Sequence, residues 1–146
     1  DPSSKSVFFA THVGYYTETD GVEVYPTPPD GKSGYPGGHF LKYDLEASSF
    51  HDLATISTPW GKEGAVSFAA DMVRGRLYAL SWPAGYLVTY DLGTKKYCVV
   101  GRATEGEGEA VLPPTGGNSP ESSYRVLCRS LAVCPLDGAV YLSSAG

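Results

Sequence analysis

Apolar and aromatic residues fall along this chain in short runs of about six, broken by glycines and polar turns. No window of ten or more residues sustains a 3.6-residue apolar period, so the pattern predicts strands and no long helix. The runs recur. Gly38-His39-Phe40-Leu41-Lys42-Tyr43-Asp44-Leu45, followed by Phe50, returns without a gap as Gly85-Tyr86-Leu87-Val88-Thr89-Tyr90-Asp91-Leu92, followed by Tyr97, an offset of 47 residues (85 − 38). Ser67-Phe68-Ala69-Ala70-Asp71, Gly75 and Leu77-Tyr78-Ala79-Leu80-Ser81 return as Ser130-Leu131-Ala132-Val133-Cys134, Gly138 and Val140-Tyr141-Leu142-Ser143-Ser144, an offset of 63 (130 − 67). Val7-Phe8-Phe9-Ala10-Thr11 precedes its counterpart at Leu77 by 70 (77 − 7).

A unit of about 40–50 residues made of four short strands is the mark of a propeller blade. The expected fold is therefore all-β: antiparallel four-stranded blades of a β-propeller, two to three of them present, as a fragment of a larger closed propeller. Lettering strands a to d from the axis outward, 65–71, 76–82, 85–91 and 96–101 make the middle blade. Strands b, c and d at 6–12, 38–44 and 49–56 belong to the blade before it, and strands a and b near 124–134 and at 139–144 to the one after. As a single incomplete segment, 1–60 is a partial blade with a b-to-c insertion at 13–37, 61–102 a complete blade, and 103–146 a partial blade after a d-to-a insertion at 102–123.

In such a meander the a-to-b and c-to-d turns lie at one end and the b-to-c and d-to-a connections at the other. Both insertions then fall on one face, and long loops on a rigid scaffold are where binding concentrates. Aromatic residues crowd that face: Tyr15, Tyr16, Tyr25 and Tyr35 in the first insertion, Trp60 in the 57–64 connection, and Trp82 closing a strand. Flat rings with a polar edge suit sugars and peptides, though a loop can also bury them in a core of its own. Trp82, Trp60, Tyr15, Tyr16 and Tyr35 are the expected ligand-binding residues, with Arg129 on an inner strand, where a side chain can point into the channel; a buried ion pair with a neighbouring blade explains Arg129 equally well.

His12 and His39 lie on neighbouring strands at the same end. They are the expected metal ligands if a divalent metal, the one candidate cofactor, is held there, but two imidazoles do not complete a site. Register places Trp82 and Tyr86 at the equivalent positions of the next blade, which speaks for packing. Asp44 and Asp91 each end a strand and open a turn, where a short carboxylate caps backbone amides. Glu105-Gly106-Glu107-Gly108-Glu109 lacks the ligand spacing of a calcium loop. Ser67 and Ser130 have no histidine beside them to activate a nucleophile. The three cysteines show neither metal nor disulfide spacing and read as buried thiols. A formal charge of −5 and no basic run longer than Lys95-Lys96 argue against a nucleic-acid or anionic-membrane surface, and no apolar run spans a bilayer.

Ala70-Asp71-Met72-Val73-Arg74-Gly75-Arg76-Leu77-Tyr78, Trp82-Pro83-Ala84-Gly85 and Tyr90-Asp91-Leu92 together resemble the blades of bacterial propellers of the streptogramin-lyase-like, oligogalacturonate-lyase-like and quinoprotein-dehydrogenase-like groups. The resemblance implies a periplasmic or extracellular setting and, in enzymes of those groups, histidines near the axis; only His12 and His39 match. The leading expectation is a non-catalytic segment that binds carbohydrate or protein through the long-loop face. Part of a polysaccharide lyase or lactonase-type hydrolase is the alternative, and a wall in a larger assembly the third reading. Its partners would be the remaining blades, from the same or other chains.

Overall fold

A computed structural model describes residues 5–12, 17–19, 22–24, 37–59, 61–82, 84–103 and 128–144, with 17–19, 22–24, 128–129 and 144 described by backbone alone. Every regular element among them is a strand, and every pairing is antiparallel. β1 (Ser6–Ala10) is followed by a small hairpin, β2 (Thr17–Thr19) with β3 (Val22–Val24), and then by β4 (His39–Asp44) and β5 (Ser49–Thr55). A second small hairpin, β6 (Ser57–Thr58) with β7 (Gly61–Lys62), leads into β8 (Gly64–Asp71), β9 (Arg76–Trp82), β10 (Tyr86–Asp91) and β11 (Lys96–Arg102). β12 (Cys128–Val133) pairs with β13 (Val140–Ser144). The three main sheets have the orders β1-β4-β5, β11-β10-β9-β8 and β12-β13, and no sheet closes on itself.

The strand boundaries fall within a few residues of those expected from the runs. The two small hairpins were not expected. Strands of two or three residues are too short to show an alternating pattern, and β6–β7 turns through Gly61 at φ 116°, a conformation open to glycine.

The sequence offsets reappear in backbone geometry. A bulge between Phe40 and Leu41 on β4 is matched 47 residues on by one between Leu87 and Val88 on β10. The irregularity between Ala65 and Ser67 is matched 63 residues on by that between Cys128 and Ser130. Ser48 and Lys95, again 47 apart, both take positive φ, at 50° and 57°. A left-handed residue other than glycine costs about 1–2 kcal/mol. The preceding aspartate offsets it in both turns: Asp44 Oδ1 accepts the Glu46 and Ala47 amides at 3.0 and 2.9 Å, and Asp91 Oδ1 accepts the Thr94 amide at 2.8 Å.

Alternation then settles which face each sheet buries. Phe8, Ala10 and Phe40 lie on one face of the first sheet and pack on Leu77, Ala79, Val88 and Tyr90 of the second. Phe40, fully buried, is the wedge, with ring centroids 6.3 Å from both Phe68 and Tyr90 and 6.5 Å from Tyr97. Truncating such a ring typically costs about 3–5 kcal/mol. The opposite face of the second sheet, with Tyr78 and Leu80 buried, lies beside the third, where β12 runs along β8 and β9.

A candidate binding end of the sheets

Four backbone hydrogen bonds gather the strand ends that lead into both long connections. The Ala65 amide donates to Thr11 O at 2.9 Å, Gly38 to Glu63 O at 2.7 Å, Ile56 to Gly38 O at 2.6 Å and Ala103 to Gly85 O at 2.8 Å. The segments entering and leaving 13–36, and the one entering 104–127, therefore sit at one end of the first two sheets. The opposite end carries short turns. There Arg74 donates to Asp71 Oδ2 at 2.9 Å and to Leu136 O at 3.0 Å, tying the second sheet to the third.

Glu63 organises the long-loop end. It is 2% exposed, and both its carboxylate oxygens accept hydrogen bonds: Oε2 from the Thr58 hydroxyl at 2.7 Å and the Ser81 hydroxyl at 2.8 Å, Oε1 from the Ala84 amide at 2.7 Å. The Ser81 hydroxyl in turn accepts the Tyr86 amide at 2.9 Å. A carboxylate out of water needs such donors, since burying it bare is far more costly than any single hydrogen bond. One side chain thus fixes the β6–β7 hairpin to the β9–β10 turn. The Tyr97 hydroxyl adds a second tie, donating to Ser57 O at 2.8 Å and accepting the Ser57 amide at 3.1 Å. Burial raises the pKa of that phenol.

Trp82 is 4% exposed, with the His12 ring set edge-on at 5.5 Å between centroids. Its faces are engaged in packing, so any open aromatic platform has to be built from other rings. His39 turns elsewhere. Its amide donates to Thr11 Oγ1 at 2.8 Å, and its Nδ1 lies 2.9 Å from Asp52 Oδ2, close enough for an ion pair but without hydrogen-bond alignment. His12 and His39 therefore share this end of the molecule but engage different partners. Among the described residues no three His, Cys, Asp or Glu side chains cluster as a metal site.

Trp60, Tyr15, Tyr16 and Tyr35 lie outside the described residues, and Arg129 is placed on β12 by its backbone alone. Arg102 lies 5.9 Å from the Tyr86 ring centroid and donates to Ala84 O at 3.2 Å, closing the rim beside the β9–β10 turn. Cys98 is exposed, against the expectation of a buried thiol: it stands on β11, the outer strand of its sheet. Sequence reading missed Glu63. Nothing in a lone glutamate between Lys62 and Gly64 marks it as buried, and its partners are 5, 18 and 21 residues away.

Compared with family models, curated proteins and solved structures, the chain matches none. No helix among the described residues is long and apolar enough to cross a membrane.

Proposed function

We propose that the chain is a segment of a β-propeller that binds a ligand or partner, carbohydrate or protein, at the end carrying its long connections, and that it does so without catalysis. The observation that carries this reading is the anchoring of both long connections at one end of the first two sheets, over a floor fixed by Glu63. A rigid floor under long loops is the arrangement that presents binding residues at low entropic cost. The recurrence of bulges and positive-φ residues at the sequence offsets supports blades of one design.

Because Trp82 is packed, the aromatic contribution falls to Trp60, Tyr15, Tyr16 and Tyr35. The test is a glycan array probed with the purified chain, followed by titration of the best glycan against Trp60→Ala and a Tyr15→Ala/Tyr16→Ala/Tyr35→Ala variant. Loss of an aromatic platform should weaken binding at least about tenfold, equivalent to about 1.4 kcal/mol. Unchanged affinity in both variants would remove the platform. An empty array, with no protein captured by the loops, would overturn the binding reading.

A further inference from the structure

Three sheets stacked in one direction should expose two faces, one at each end of the stack. In the second sheet, Leu77, Ala79, Val88, Tyr90 and Tyr97 form the face covered by the first sheet. Their counterparts at offsets of 70 and 47 are Val7, Phe9, Leu41, Tyr43 and Phe50, which share one face of the first sheet by strand register. That face is uncovered among the described residues: Phe9 is 39% and Phe50 66% exposed. The ring centroids of Phe9 and Phe50 stand 6.2 Å apart and those of Phe50 and Tyr43 4.7 Å, both pairs tilted, so the rings form one patch. Scattered single apolar residues on a surface are ordinary, but a contiguous patch is not.

The third sheet shows the converse. Val140 and Leu142, the counterparts of Leu77 and Ala79, are half-buried on one side of the third sheet, while Ala132, Tyr141 and Ser143 on the other side are exposed. Tyr141 is 61% exposed, yet its counterpart Tyr78 is buried. Among the described residues, one exposed face is thus of the kind that is covered and another of the kind that covers.

We infer that the occupant of the first face is a second copy of this chain, seated head to tail through the exposed face of its third sheet. The interface would continue the stacking already present twice within the chain, with Tyr141 of one copy against Val7, Phe9 and Phe50 of the next. Head-to-tail contacts are heterologous, so they build rings where the rotation closes and filaments where it does not. The inference shares with the proposed function the idea of repeated sheets, but it uses none of the loops.

Sedimentation velocity of the intact chain over a concentration series up to roughly 100 μM tests it. The wild type should sediment as a dimer or larger. Phe9→Lys, or Phe50→Lys should the first variant fail to fold, blocks one face and Tyr141→Lys the other, so each alone should be monomeric. An equimolar mixture of a first-face variant with Tyr141→Lys retains one intact pair of faces and should form a dimer and nothing larger. A wild type that stays monomeric, association indifferent to Tyr141→Lys, or folded variants whose mixture stays monomeric would each overturn the inference. Glycan affinity, measured separately, reports on the loop end whichever way this result falls.

Discussion

Replacing Glu63 should damage this protein more than replacing any other acidic side chain, and two substitutions separate the reasons. Glu63→Ala removes three charge-assisted hydrogen bonds at once. The Thr58 and Ser81 hydroxyls can rotate towards other acceptors, but the Ala84 amide is fixed and buried beside them, and an unmet backbone donor costs about 1–3 kcal/mol. The vacated side chain adds a cavity term of similar size. Against these stands relief from burying a charge, worth several kcal/mol in principle, which the three donors already largely offset. The net expectation is a loss of about 2–4 kcal/mol, out of a total of roughly 7–22 kcal/mol for a chain of this length. Glu63→Gln keeps an acceptor for Ala84 and turns its amide group towards two hydroxyls able to accept, so about 1 kcal/mol should be lost. Urea unfolding followed by tryptophan fluorescence measures both, because Trp82 lies next to Ser81. A Glu63→Ala variant within about 0.5 kcal/mol of wild type, or a Glu63→Gln variant as damaged as Glu63→Ala, would refute the account of Glu63 as a hydrogen-bonded anchor.

Four turn aspartates should set the acid limit of stability. The Ala47 amide lowers the pKa of Asp44, the Arg74 guanidinium that of Asp71, the Thr94 amide that of Asp91 and the Ala139 amide that of Asp137. With folded values below unfolded ones, their contribution is present above the ordinary carboxylate range and is lost as pH falls through about 4 towards the lowered values. Thermal melts from pH 7 to 3 should steepen there, and Asp91→Asn should flatten that limb; an unchanged limb would count against the turn as its source. Tyr97 acts with the opposite sign at the alkaline end: its raised pKa makes stability full below about pH 10 and declining as pH rises past it. Tyr97→Phe should remove that decline and cost about 1 kcal/mol near neutrality by calorimetry, since water can partly replace the phenol at exposed Ser57. Gly38→Ala should lose about 1–3 kcal/mol, because a Cβ there collides with the Thr11 carbonyl oxygen and sits 3.0 Å from Gly64 Cα. Gly101→Ala, with open space at its Cβ, should show no such loss in the same unfolding assay.

Much of the scaffold was legible because its information is local. Asp44 and Asp91 cap turns through amides two or three residues away, so type and spacing were enough to assign them. Strand alternation likewise puts Phe8 and Ala10 on one face, since side chains on a strand have a period of two, whereas Phe40 joins them only through the pairing of Ala10 with Phe40. The candidate site was legible only in outline. Register put His12 and His39 at one end, but it could not show that one ring meets Trp82 and the other Asp52. Trp82 looked like an open platform because no local signal tells a strand-end ring on the surface from one beneath a neighbouring segment.

Strand positions, turn chemistry and the offsets of 47, 63 and 70 were thus contained in the order of residues, because each depends on backbone preferences acting over a few positions. The burial of Glu63, the covering of Tyr78 and the exposure of Phe50 were not. Each depends on which distant segment arrives beside that side chain, and so on how the sheets stack rather than on how any strand forms.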